Sequence, residues 1–190
     1  LDEQSMNLLD HVDMIIFAMG STISVPQPFQ GSARPTLSVL EALSRPANLG
    51  AEVVIIGANL VGAETAWHLA KLGHDVTLVE RSKGFSSDIN LISRLVLPKT
   101  LSESGVSLLM GTDALSASAG GLIVQSSDNE KEISADNIVV AFGASPNEIP
   151  ISIEEFFRIR EIDVHYLKPQ HKIYPLYWAT HSAHQLARIL

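Results

Sequence analysis

The sequence predicts an α/β fold, a parallel sheet with helices on both faces and a small antiparallel β-meander, and three observations carry this. A run of β-branched residues, VVII at 53–56, stops at Gly57. A helical pattern opens around Gly62, and a second apolar run, DVTLVE, ends in Glu80. Strand, tight turn, helix and strand within about thirty residues form a βαβ unit. The grammar then changes after Ala114, where short runs punctuated by AGG and SSDNE read as a meander. Together these make the sheet Rossmann-like.

Along the chain, VDMIIF (Val12 to Phe17) reads as a short buried strand running into AMGS and the Pro- and Gly-bearing loop VPQPFQG. Thr36 to Leu43 reads as helix, and Val53 to Ile56 as the first strand of the βαβ unit. A helix follows from Leu60 to Leu72, with Ala63, Ala66, Trp67 and Ala70 at three- and four-residue spacing and Gly73 as its stop. Asn90 to Ser104 is helical in period, with Pro98 as a kink or restart and Gly105 at the end. VSLLMGT supplies a third parallel strand, with Val53–Ile56, Val76–Val79 and Val106–Leu109 expected as neighbours. The meander spans Ala114 to Ser134, and NIVVAFGASPN returns to a buried strand closed by Gly143. From Ile151 onward no clean period is found, although HSAHQLARIL fits a closing helix. The expected division is residues 1–20 as a terminal segment and hinge, 21–147 as the main domain and 148–190 as an appendage.

Composition excludes several function classes. The chain has 190 residues and is 46% hydrophobic, enough to bury a substantial core. Lys+Arg number 13 against Asp+Glu 21, a formal charge of −8. No basic cluster lines a phosphate backbone, so nucleic acid is not an expected partner. Cysteine is absent, which removes disulfides, thiolate metal sites and dithiol redox chemistry. Any redox chemistry must ride on a bound cofactor. No stretch approaches the roughly 18 apolar residues that span a bilayer, and the opening LDEQSMNLLD is acidic rather than basic and then apolar. A cytoplasmic chain that makes no membrane contact is therefore expected. It starts at Leu1, in what reads as mid-domain, and is expected to be a piece of something larger.

The candidate site is the turn VVIIGANLVGAE. A dinucleotide-binding fingerprint asks for glycine at its first, third and sixth positions, and here these are Gly57, Asn59 and Gly62. The first permits the tight turn and the last lets the helix pack against the strand. Asn is the best non-glycine residue for a left-handed backbone, so Asn59 is expected in or near that region at the start of the helix. Its amide would face the crevice and could donate to a phosphate. Leu60 and Val61 bring first-turn N–H groups toward an anion. Glu80, 23 positions after Gly57, stands where a carboxylate accepts from ribose hydroxyls, which favours NAD(H) over NADP(H). Arg81 beside it and Lys83 nearby moderate that preference.

Other candidates are weaker. His181 and His184 share a helical face, with His165 and His171 upstream, but lack a helical carboxylate at ligand spacing. No metal site is therefore expected. No Gly-x-Ser-x-Gly elbow or Walker-type loop occurs. Tyr174, Tyr177 and Trp178 most simply pack a core or an interface.

The stretch VVIIGANLVGAETAWHLAKLGHDVTLVER, preceded by IIFAMGS and followed by LSESGVSLLMGT and IVVAFGASPN, resembles the NADH-binding domain of the pyridine nucleotide-disulfide oxidoreductase superfamily. It is most similar to the branch of NADH:flavin oxidoreductases and 2,4-dienoyl-CoA reductases. The resemblance implies an NAD domain inserted into an FAD domain, with AMG and AFG as the two crossings and Gly20 and Gly143 near the dinucleotide. It implies hydride transfer from NADH to a flavin, with Glu64, seven positions after Gly57, as a positioning residue and no catalytic acid or base. The first turn of a helix also favours a glutamate without any such role. The family's N-terminal FAD fingerprint is missing. Its C-terminal Gly-Asp signature is replaced by KIYPLYWATHSAHQ, so FAD belongs to a parent enzyme rather than to this chain alone. The expected partners are NADH and a flavin-bearing domain or the remainder of a longer chain, with homo-oligomerisation left open. The alternative is a degenerate, non-catalytic domain that keeps the fold for structure or subunit contacts.

Overall fold

A computed structural model describes residues 12–31, 34–87, 89–127, 129–142, 144–167 and 176–189, with the side chains of 144 and 176–178 outside the description. The chain divides into two compact units, one from residues 1–22 with 144–190 and the other from Ile23–Gly143.

The larger unit is built on a five-stranded parallel sheet. Its strands are β3 (Thr36–Ser38), β4 (Glu52–Ile56), β5 (Asp75–Glu80), β6 (Ser107–Met110) and β10 (Asn137–Val140), in the order β3-β10-β4-β5-β6. Val54 pairs with Thr77 and Ile138, and Leu78 pairs with Leu108, so the three expected segments are parallel neighbours. A meander of β7 (Asp113–Ala117), β8 (Gly121–Ser126) and β9 (Asn129–Ser134) forms a separate antiparallel sheet.

Alternation along the strands sorts side chains into two cores. Val53, Ile55, Val76, Leu78 and Val139 face the helices α1 (Val39–Ser44), α2 (Leu60–Lys71) and α3 (Leu91–Glu103), meeting Ala42, Ala63, Ala66, Leu69 and Leu101. Val54, Ile56, Val79, Ile138 and Val140 face the other way, onto Leu122 and Val124 of the meander and Phe29. The fold class is the expected one, with one correction in its layering. The buried α-helical residues of this unit lie on a single face, and the meander with the short 3₁₀ turn Gln27–Phe29 covers the other. The meander therefore substitutes for the second helical layer.

Local chemistry sets the helix ends. At Gly73, φ is +97°; its N–H donates to Ala70 O, and the His74 N–H donates to Leu69 O. This is a Schellman stop for α2. Asn90 caps α3 through Ser93 N–H, and Pro98 sits inside α3 without ending it. The expected helix from Thr36 is corrected: Thr36–Ser38 is an edge strand, and the helix starts only at Val39. Ser38 accepts from Glu41 N–H while the Glu41 carboxylate accepts from the Ser38 N–H and hydroxyl. This capping box holds the Glu41 carboxyl below its ordinary pKa.

The smaller unit pairs β1 (Met14–Phe17) parallel to β12 (Asp163–Tyr166), and β2 (Ser21–Ile23) pairs with β11 (Ala144–Pro146). β1 is only half-buried, Ile16 being 44% exposed, where the sequence reads as buried. α4 (Ile151–Ile159) and β12 occupy a stretch in which no period was legible, and α5 (Leu176–Ile189) contains the expected closing helix. Phe157 is fully buried, edge-on to Phe17 and Phe156. Tyr177 and Trp178 lie in α5, and Tyr174 is outside the described residues.

Leu122 is fully buried between the meander and the sheet. Truncating it removes contacts that no neighbour replaces, so Leu122→Ala is expected to destabilise the chain by about 2–5 kcal/mol. Urea unfolding should show a lower midpoint with an unchanged slope.

Candidate functional site

The site lies at the carboxyl ends of β4, β5 and β10, where the strand order reverses between β4 and β10. Such a switch point is where open α/β sheets bind ligands. A cleft of about 720 Å³ opens there, lined among others by Gly57, Asn59, Glu80, Arg81, Ser86, Arg94, Asp113 and Phe142.

Gly57 ends β4 with φ +107°, a conformation that suits glycine, and its N–H donates to Val79 O at 2.8 Å. The chain then turns so sharply that α2 starts against the turn itself. A Cβ on Gly62 would lie 1.9 Å from Gly57 O and 3.0 Å from Ala141 Cβ, so no side chain fits there. The first and last glycines of the fingerprint thus perform the two steric roles read from the sequence.

Asn59 differs from expectation. Its backbone is extended, with φ −78° and ψ 178°, because it is the N-cap of α2 rather than a left-handed residue. Its Oδ1 accepts from Gly62 N–H at 2.9 Å, and its Nδ2 donates to Ala141 O at the end of β10. Asn59 does line the cleft, with one amide hydrogen committed to the protein. Leu60 and Val61 are exposed in the first turn of α2 and their side chains lie outside the cleft lining. Their backbone N–H groups have no intrahelical acceptor.

Glu80 stands at the end of β5 with both carboxylate oxygens engaged. Oε2 accepts from Ala58 N–H and Oε1 from Ser82 N–H, each at 2.8 Å. The Ala58 carbonyl accepts from Ser86 N–H at 3.1 Å, so the Ala58 peptide is held on both sides. Glu80 O and Ser82 O in turn accept from Thr112 and Gly111 N–H, which ties the loop after β5 to the end of β6. Arg81 is highly exposed and pairs through Nε with Asp113. Ser82, Gly84, Phe85, Ser86 and Ser87 of the loop after β5 also line the cleft with Arg94, none of them singled out in the sequence, as does Phe142, the middle residue of AFG.

Glu64 is exposed on α2 and is not part of the lining. Gly20 belongs to the smaller unit, with φ +67°, its carbonyl accepting from Asn147 N–H at 3.1 Å. Gly143 lies outside the described residues. His165 Nε2 sits 3.1 Å from Asp163 Oδ2, and no group of three or more metal-ligating side chains occurs among the described residues. No helix among them is long and apolar enough to cross a membrane.

Gly62→Ala is expected to destabilise the chain by about 1–3 kcal/mol, since the α2 start must move away from Gly57. Glu80→Ala leaves the Ala58 N–H, in a fully buried residue, without its acceptor and should cost about 1–3 kcal/mol. Denaturant titration of both variants against the parent chain checks these values, and a Gly62→Ala variant as stable as the parent would refute the close contact.

The chain is similar in sequence and in fold to proteins of known class. The sequence profile of the family described as Pyridine nucleotide-disulphide oxidoreductase matches residues 4–164. A bilirubin reductase of Mediterraneibacter gnavus is 31% identical over 146 residues, 76% of this chain and 23% of its own length. An NADH oxidase of Thermoanaerobacter brockii is 29% identical over 183 residues, 92% of this chain and 27% of its own. In fold, the chain superposes on a 2-naphthoyl-CoA reductase in complex with 2-naphthoyl-CoA with a TM-score of 0.79 at 22% identity, covering 95% of this chain and 28% of that one. The chain thus spans about a quarter of the length of these relatives, whose family membership indicates NAD(H) and FAD in the parent enzymes. With its profile match, its glycine turn and its cleft at the switch point, the chain belongs to the pyridine nucleotide-disulfide oxidoreductase family.

Proposed function

We propose that the chain is the NAD(H)-binding region of a larger flavin-dependent oxidoreductase, one that passes hydride from NADH to a flavin held mostly outside this chain. The observation that carries this reading is the forced approach of Gly62 to Gly57 O beside a cleft at the sheet's switch point. That approach aims the first-turn N–H groups of Leu60 and Val61 at the place where a pyrophosphate would lie. Glu80, fixed by two backbone N–H groups, keeps acceptor capacity for ribose hydroxyls, since each carboxylate oxygen carries two lone pairs. Phe142, 37% exposed at the rim and edge-on to Phe29, offers an aromatic wall.

When bound, the nicotinamide supplies the hydride and the flavin accepts it. The protein's part is to hold the dinucleotide and align it, without a protein nucleophile. By the family likeness Gly20 and Gly143 would lie near the dinucleotide, and Glu64 would act as a positioning residue near the nicotinamide and the flavin. The likeness to the branch of NADH:flavin oxidoreductases and 2,4-dienoyl-CoA reductases supports the same assignment. A degenerate, non-catalytic domain is the second reading, and one observation favours it. The Asn59 side chain stands in the cleft, committed to Gly62 and Ala141.

Calorimetry with NADH, NADPH and FAD separates the two. The proposal expects NADH to bind, FAD not to be held by the chain alone, and Glu80→Gln to weaken NADH by about 1–3 kcal/mol as a charge-assisted acceptor is lost. Asn59→Gly should leave NADH affinity similar or better, because the cleft loses a side chain while the N–H groups remain. Absence of NADH binding at millimolar concentration, in this variant and in the parent chain alike, would favour the structural reading.

A further inference from the structure

We propose that Arg94 binds a phosphate group of the nucleotide in this cleft, an assignment that rests on the dinucleotide reading above. Arg94 lies in the first turns of α3, and its side chain lines the cleft together with Glu80, Ser86 and Ser87. Its Nε is shielded from solvent and meets no hydrogen-bond acceptor among the described residues. A guanidinium carries its charge at any physiological pH, and a shielded N–H donor left unpaired is unfavourable.

The other charged groups lining the cleft are accounted for. Arg81 pairs with Asp113, and the Glu80 carboxylate accepts from Ala58 and Ser82 N–H. Arg94 is therefore, among the described residues, the one cation lining the cleft that has no partner, in a cleft where the ligand must bring the anion. Adenine, ribose and reduced nicotinamide are neutral, so the anions of such a ligand are its phosphates. The planar fork of arginine matches phosphate oxygens. Two phosphates can supply that chemistry, the pyrophosphate common to NADH and NADPH or the 2′-phosphate of NADPH.

Titration calorimetry of the full chain, as wild type, Arg94→Gln and Arg94→Lys, with NADH, NADPH, 5′-ADP and adenosine 2′,5′-bisphosphate as probes tests the assignment. Since Nε makes no bond within the described protein, Arg94→Gln is expected to melt at or above the parent temperature. If the pyrophosphate is the partner, Arg94→Gln weakens NADH, NADPH and ADP together by about tenfold or more. If the 2′-phosphate is the partner, NADPH and the bisphosphate weaken by that factor while NADH and ADP hold. Arg94→Lys keeps the charge without the fork and should recover part of the loss in either case; it carries the test should the glutamine variant unfold. Affinities for all four probes within about twofold of wild type in Arg94→Gln would overturn the proposal, as would a wild-type chain that binds none of them. A wild-type chain that binds ADP or the bisphosphate through Arg94 but neither dinucleotide would uphold Arg94 and refute the dinucleotide reading.

Discussion

The contact between position 62 and the carbonyl of Gly57 constrains everything at the carboxyl end of the sheet. A helix can begin so close to its preceding strand only when no Cβ intervenes, and here one would sit 1.9 Å from an oxygen atom. Because the turn is that tight, Gly57 takes a positive φ and Asn59 becomes the N-cap. The peptide between them then needs support from outside the turn. Glu80 provides it through the Ala58 N–H, and Ser86 through the Ala58 carbonyl. One steric constraint thus fixes the turn, recruits the end of β5 and orders the loop beyond it.

The two cores explain why the cleft lies where it does. The parallel strands bury side chains on both faces, against helices on one side and the meander with Phe29 on the other. With both faces covered, a ligand can approach this sheet only at its ends. The chain continues from β4 to β5 on one side, while β10 lies on the other, and Ala141 N–H still reaches back to Ile56 O. The crevice is a consequence of topology, and the residues around it decide what it can hold.

Much of this was legible in the sequence because the signals are local. The apolar runs before Gly57 and up to Glu80, the glycines and Gly73 each encode their structure within a few residues. What escaped has physical reasons. Thr36–Ser38 reads as helix because its partner, β10, lies a hundred residues away and only that pairing makes it a strand; the Ser38–Glu41 spacing held the signal for the true helix start. The second layer reads as helical because strands buried on both faces do not say what covers them. In the site, Gly57, Asn59 and Glu80 were found through the fingerprint. Phe142 lay within AFG, quoted only as a crossing, and Arg94 lines the same cleft from a helix that no short motif links to the turn.

The substitution of Asn59 for the fingerprint's middle glycine makes sense once its conformation is known. A glycine there makes room for a ligand and leaves the helix N-terminus uncapped; an asparagine in an extended conformation caps Gly62 and ties the turn to Ala141. The left-handed backbone that the fingerprint's logic suggested is unnecessary, because Gly57 alone supplies the positive φ that the turn needs. Asn59 therefore stiffens the site in the absence of ligand at the expense of space within it. One N–H at the helix start, that of Gly62, is taken by the cap, whereas those of Leu60 and Val61 have no intrahelical acceptor. The uncapped donors at the helix start thus survive the substitution, fewer by one.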